Sequence, residues 1–189
     1  MRAKVAAIIL AAGSGRRMGQ PKLFLESGGR SFLELAAGSL ESAGIRDVIA
    51  VVREEDKEQA RALAKTCRVV VNEHPGNGPL SSLRAGLDAA PDCNGYLVMP
   101  VDHPFVRPET LAELAQAFQT DPAKVVKPSL DGRDGHPVII PKALAAQVTG
   151  CDVKGGLAVL IKDSGLKVVR REVSDQGILK NINTSDDMK

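Results

Sequence analysis

The segment Ile8-Ile9-Leu10-Ala11-Ala12-Gly13-Ser14-Gly15-Arg16-Arg17-Met18-Gly19-Gln20-Pro21-Lys22 constrains this chain more than any other part of it. A β-branched apolar run stops abruptly in a loop rich in glycine and arginine, and a Pro-Lys pair closes that loop. A buried strand delivering such a loop suits a polyphosphate. Glycine lets successive backbone N–H groups aim at one point, and Arg16, Arg17 and Lys22 add charge-assisted hydrogen bonds to phosphate oxygens. For Gly-x-Gly alone, a strand-to-helix turn with solvated arginines is the plainer reading. Two familiar loops do not fit. No Gly-Lys-Ser/Thr follows, so this is not a Walker loop, and Met18 stands where the dinucleotide fingerprint has its third glycine. The acidic residue expected ~20 positions further on is not at a second strand end either, because that strand closes later, at Arg53-Glu54.

Apolar β-type runs recur at Val5–Leu10, Val48–Val52, Val69–Val71, Tyr96–Met99, Val125–Val126, Val138–Ile140 and Val168–Val169. Helical patterns fall between many of them. Ser31 and Glu34 form a capping box ahead of Phe32, Leu35, Ala36 and Leu40. Leu80, Leu83 and Leu87 make a stripe opened by Pro79; Leu111, Leu114, Ala115 and Phe118 make another, with Pro108 in its first turn. Strand and helix alternating over the first 120 residues imply a mostly parallel sheet with right-handed crossovers. After residue 120, Pro122, Pro128, Pro137 and Pro141 break the rhythm, which predicts a loop or hairpin excursion over one end of the sheet. A helix near Lys154–Lys162 and a final strand near Leu166–Arg171 follow. The 189 residues carry no internal repeat and read as one α/β domain, 1–189, with an elaborated C-terminal third.

A formal net charge of +2, no basic tract and few aromatics argue against nucleic acid as a partner. No run approaches the ~20 apolar residues of a membrane span. The apolar N-terminus is brief and runs into arginines, so it is read as a strand and not as a signal peptide. Cys67, Cys93 and Cys151 are odd in number and widely spaced, which predicts reduced thiols in a cytoplasmic protein.

Further motifs sit where strands should end. Asp102, between Pro100 and Pro104, closes an apolar strand, and ligands of open parallel sheets bind at the carboxyl ends of strands. A lone carboxylate there could hold Mg²⁺ on triphosphate oxygens; the alternative is a turn aspartate capping the helix near Pro108. Asn72 to Ser82 supplies amides and hydroxyls able to read a nucleobase edge, or N-caps the next helix through Ser81 or Asn77. Gly132 to Pro137 is a turn before a strand, with His136 a hydrogen-bonding residue. An Asn side-chain oxygen near the end, within Asn181-Ile182-Asn183-Thr184, could complete a hard-cation site opposite Asp102. No Ser-His-Asp, Cys-His or zinc pattern is apparent. A phosphate nucleophile needs none, because it is already ionised and asks only for positioning and charge neutralisation.

The N-terminal loop, Asn72…Gly78…Ser81, Met99-Pro100-Val101-Asp102-His103-Pro104, Gly135-His136-Pro137 and Asn181-Ile182-Asn183-Thr184 together resemble the molybdenum cofactor nucleotidyltransferase family, in order and over nearly the whole chain. The resemblance implies a three-layer α/β/α, Rossmann-like nucleotidyltransferase fold. It also implies attack by the terminal phosphate of molybdopterin or molybdenum cofactor on the α-phosphate of a nucleoside triphosphate. Carried onto this sequence, the backbone of Leu10, Ala11, Ala12 and Gly13 would hold the base, with Gly15 allowing close approach. Arg17 and Lys22 would neutralise phosphates, and Asp102 and Asn183 would bind Mg²⁺. Asn72, Gly78 and Ser81 would contact base and ribose, and Gly135, His136 and Pro137 would face the acceptor.

Ala12, Pro21 and the Gly-His-Pro segment are similar to the cytidylyl branch of that family and favour CTP. The Asn181-Ile182-Asn183-Thr184 tail departs from the acidic Asp-x-Asp-Thr of many cytidylyl members and leans toward GTP. A recipient molybdoenzyme is a possible protein partner. The competing readings are transfer to a sugar or polyol phosphate, a nicotinamide dehydrogenase, and a nucleotide-binding cofactor-insertion partner without turnover.

Overall fold

Along β1 (Val5–Leu10), Ala6 and Ile8 join one hydrophobic cluster while Ala7 and Ile9 join another, and all four are fully buried. A strand apolar on both faces requires a layer of helices on each. The computed structural model, which describes residues 3–13, 19–150 and 156–183, supplies both layers. One face is covered by α1 (Phe32–Ser42), α2 (Lys57–Leu63) and α4 (Pro108–Thr120), through Phe32, Leu40, Ala60, Leu111 and Phe118. The other is covered by α3 (Pro79–Ala89), α5 (Lys142–Gly150) and α6 (Leu157–Asp163), through Leu83, Leu144, Val148 and Ile161. The strands β4 (Val48–Val52) and β6 (Gly95–Pro100) alternate between the two clusters in the same way.

The described residues form an eight-stranded mixed sheet. β5 (Arg68–Val71), β4, β1 and β6 run parallel, in that spatial order. Beyond β6 lie β9 (Val138–Pro141), antiparallel to it, then β7 (Val125–Leu130) and finally β10 (Val168–Glu172), parallel to β7. The short β8 (Arg133–Asp134) pairs with β7, and a separate hairpin joins β2 (Glu26–Ser27) to β3 (Arg30–Ser31). This is the three-layer α/β/α architecture that the family resemblance implies, built on the mostly parallel sheet that the alternating pattern predicts.

The proline-rich third is the correction. The Pro122–Pro141 segment is not an excursion over the end of the sheet, because β7 and β9 are strands within it. The prolines sit where they cost little: Pro141 ends β9, Pro137 precedes it, and Pro128 uses its carbonyl to accept from the Gly135 N–H at 3.0 Å. The apolar runs Val125–Val126 and Val138–Ile140 are thereby left free to pair. Helix α5 follows directly on Pro141, with Leu144, Ala145 and Val148 buried. Helix α2 buries Ala60 alone, so it offers no apolar stripe to read. Ser31 does cap α1: its hydroxyl accepts from Glu34 N–H, while the Glu34 carboxylate accepts from Ser31 N–H at 2.8 Å.

Helix α3, which follows the Asn72–Gly78 loop, packs tightly on the central strands at Gly86. A Cβ there would lie 2.5 Å from Ile8 Cγ2 and 3.0 Å from Val51 Cγ2. Gly86→Leu is therefore expected to destabilise the fold by about 1–3 kcal/mol through overpacking. Denaturant unfolding of the two proteins measures it, and an unchanged midpoint would contradict this packing.

Candidate active site

The register between β1 and β6 places Leu10 beside Pro100, so the loop leaving β1 and the Asp102 loop leaving β6 emerge together at the carboxyl end of the sheet. The Val101 N–H donates to the Leu10 carbonyl at 3.1 Å and joins the two exits. Past the β1 loop, Lys22 opens a single 3₁₀ turn, Lys22–Phe24, whose Leu23 is fully buried. With Leu23 anchored in the core, the Lys22 side chain reaches Asp102, and its ammonium donates to Asp102 Oδ2 at 2.7 Å. The same ammonium donates to Asn183 Oδ1, also at 2.7 Å. Asn183 arrives on the C-terminal tail, which is held by the Ile182 N–H donating to the Asp102 carbonyl at 2.9 Å.

Asp102 Oδ1 is buried and has no hydrogen-bond partner among the described residues. Two oxygens converging on one cation, with a further unmatched carboxylate oxygen beside them, form a donor set suited to a hard divalent ion. Among the described residues no group of three or more His, Cys, Asp or Glu side chains could hold a metal. Such an ion would therefore draw its remaining ligands from water and substrate phosphate, as Mg²⁺ commonly does.

Behind Asp102 lie two histidines. His103 is 5% exposed, its Nε2 is 4.0 Å from Asp102 Oδ1, and its ring is 5.0 Å from that of His136, centroid to centroid. Burial pushes the His103 pKa below its ordinary value, opposed by the Asp102 charge. Burial and the neighbouring His103 push His136 down to about 4. At neutral pH both rings are uncharged, and they form a polar wall that adds no positive charge to the site.

A cleft of about 560 Å³ opens over these groups. Leu10, Ala12, Gly13, Lys22, Gly78, Asp102 and His136 line it, so seven of the residues singled out in the sequence meet here. Its remaining walls are mainly apolar, formed by Pro75, Pro79, Val98 and, at the start of α6, Leu157 and Ala158. Ala11 is buried beneath the strand end. Gly15 and Arg17, with Arg16, Cys151 and Thr184, lie outside the described residues.

Three expected contacts are placed elsewhere. Asn72 is 4% exposed and turned inward: its amide donates to the Ser81 and Ser82 hydroxyls at 2.8 and 3.0 Å, and its carbonyl accepts from His74 N–H. The Ser81 hydroxyl is within hydrogen-bond distance of the Gly78 and His74 carbonyls, at 2.7 and 3.0 Å. These two side chains brace the loop against α3 and do not line the cleft; Ser82 does. Gly78 stands at the N-cap of α3, so neither Ser81 nor Asn77 caps that helix. Gly135 is a packing position, since a Cβ there would meet the Ile178 carbonyl at 2.5 Å. The helix near Pro108 is capped by Asp175, whose carboxylate accepts from Arg107 N–H and the Thr110 hydroxyl, both at 2.8 Å, leaving Asp102 to the site. Ser82 belongs to the hydroxyl-bearing stretch read from the sequence, whereas Asp175 escaped that reading; the Asp-x-Gly turn there was the available signal.

The MobA-like NTP transferase domain matches residues 7–182. The chain belongs to this family. The MobA-like chain is 26% identical to a nucleotidyl transferase from Methanothermobacter thermautotroptrophicus, with a TM-score of 0.81 over 97% of this chain and 94% of that one. It is 29% identical to a probable molybdenum cofactor guanylyltransferase of Bacillus mycoides, over 69% of this chain and 64% of the relative. It is also 31% identical to the nicotine blue oxidoreductase of Paenarthrobacter nicotinovorans, over 97% and 94% of the two lengths. By family, this MobA-like protein is a nucleotidyltransferase.

A histidine kept neutral by burial favours the folded state above its unfolded pKa, and that contribution is lost as pH falls through the folded value. Unfolding free energy is accordingly expected to decline between about pH 6.5 and 4, as the unfolded chain takes up the proton that folded His136 refuses. His136→Gln should flatten that part of the profile; an unchanged slope would place the linkage elsewhere.

Proposed function

We propose that this nucleotidyltransferase transfers a nucleoside monophosphate, CMP in preference, from CTP to the terminal phosphate of a molybdopterin-type acceptor, releasing pyrophosphate. The observation that carries the reading is the convergence of Lys22, Asp102 and Asn183 at the polar end of a cleft that is apolar elsewhere. That pairing suits a triphosphate laid against a cation site with a flat heterocycle on the apolar walls.

In the reaction, an acceptor phosphate oxygen forms a bond to the α-phosphorus of the nucleotide. The α–β bridging bond breaks, and pyrophosphate departs with the electron pair. The attacking oxygen is already ionised, so no side chain has to remove its proton. Lys22 neutralises charge on the departing phosphates, assisted by Arg17. Backbone groups of Ala12, Gly13 and Gly78 read the base, with Leu10 and Ala11 holding the strand end beneath it, and neutral His136 borders the acceptor side without drawing the phosphates away from Lys22. Asp102 and Asn183 would hold a divalent cation, Mg²⁺ in this reading, which would neutralise and align phosphate oxygens. The product would pass to a recipient molybdoenzyme in the cytoplasm.

Ala12, Pro21 and Gly135-His136-Pro137 support CTP, and the guanylyltransferase relative supports the pterin acceptor while leaning toward GTP. A second reading, a dehydrogenase placing a nicotinamide dinucleotide in the same cleft, is favoured by the oxidoreductase relative. Calorimetric titration with CTP, GTP, ATP and NAD, each with and without Mg²⁺, separates them. Mg²⁺-dependent preference for CTP is expected. A GTP preference would reverse the branch, and binding of NAD alone would overturn the transferase reading. In pyrophosphate-release assays, Asp102→Ala should lower turnover by about 10²-fold or more. Lys22→Ala should chiefly weaken triphosphate binding. Undiminished turnover in Asp102→Ala would sink the mechanism.

A further inference from the structure

We propose that Asp175 is a positioning residue whose buried carboxylate clamps the C-terminal strap, residues 175–183, so that Asn183 meets Lys22 and Asp102. The inference rests on the metal-site reading above. Asp175 is 3% exposed, and its carboxylate joins the strap to a segment some 65 residues earlier in the chain. Oδ2 accepts from the Arg107 N–H and the Thr110 hydroxyl, both at 2.8 Å, at the start of α4. Oδ1 accepts from the Gly177 N–H at 2.9 Å and lies 3.5 Å from Arg107 Nε. The carboxylate therefore fastens the beginning of the strap to the segment that follows Asp102.

From that anchor the strap runs in close contact toward the site. A Cβ on Gly177 would lie 2.2 Å from the Phe105 carbonyl, so the strap's backbone rests directly on the Asp102–Arg107 loop. The Ile178 carbonyl accepts from His136 N–H at 2.9 Å, and Ile178 and Ile182 are fully buried. The Ile182 N–H then donates to the Asp102 carbonyl, and the next residue is Asn183. Asn183 is thus placed by contacts at both ends of the strap, and a coordinating oxygen must be held to within about 0.5 Å to be effective. Asp175 supplies the distal anchor and touches no reacting group.

The test is a double-mutant cycle on the full chain, read by Mn²⁺ titration with and without inorganic pyrophosphate, following the free-Mn²⁺ paramagnetic resonance signal. Asp175→Asn and Asn183→Ala should each weaken Mn²⁺ binding about 10-fold. The double variant should bind no more weakly than Asn183→Ala, because one change acts through the other. Losses that multiply would overturn the clamp and leave the metal site standing, as would unchanged Mn²⁺ affinity in Asp175→Asn. Unchanged affinity in Asn183→Ala would instead overturn the metal-site reading, and the clamp with it. If Asp175→Asn does not fold, Thr110→Val in the same cycle decides by the same criterion, since it removes one donor and keeps the carboxylate.

Discussion

A single ammonium group ties together three stretches of chain that are remote in sequence. Lys22 is 80 residues from Asp102 and 161 from Asn183, and its nitrogen is 2.7 Å from an oxygen of each. The pair is half-buried, so neither charge is fully screened by solvent, and removing the lysine would leave a carboxylate facing an apolar cleft. For these groups to meet, β1 and β6 must be adjacent and parallel, the turn at Lys22–Phe24 must be pinned by Leu23, and the C-terminal tail must fold back over the Asp102 loop. Much of the sheet's topology is expressed in that one contact.

The cleft beside it divides its labour between backbone and side chains. The polar side chains nearest the apolar walls are spent on holding their own loop: Asn72 binds two serines and a backbone amide, and the Ser81 hydroxyl meets two carbonyls. Recognition of a base would then fall to backbone groups at the end of β1, to Gly78 and to the shape of the walls. Buried His103 and half-buried His136, both with lowered pKa, fit the same design, because a charged imidazole beside Asp102 would compete with Lys22 for the carboxylate and for any bound phosphate.

Membership in the MobA-like family and similarity to an oxidoreductase are compatible, since one fold can host different chemistries. What separates the readings is local. A polyphosphate asks for a cation site and cationic side chains, and in the proposed reading Lys22, Asp102 and Asn183, which meet here, would present them. A dinucleotide of the usual kind asks for a third loop glycine where Met18 stands.

Local chemistry made the central strands, the capping box, the striped helices and the Asp102 strand end legible in the sequence, because each rests on a short-range pattern of apolar and polar residues. Lys22 and Asp102 could be named from residue type and position, and Asn183 and His136 from the family resemblance. Tertiary structure alone decided that β7 and β9 complete the sheet, that Asn72 and Ser81 turn toward each other, and that Asp175 caps α4 and anchors the tail. These outcomes depend on pairings between distant segments: Val138–Pro141 against Gly95–Val98, and Asp175 against Arg107 and Thr110. A strand cannot show its neighbour in its own composition, and a carboxylate cannot show which donors will surround it. The sequence by itself determined which groups could do chemistry; only the three-dimensional path of the chain decided which of them share one cation.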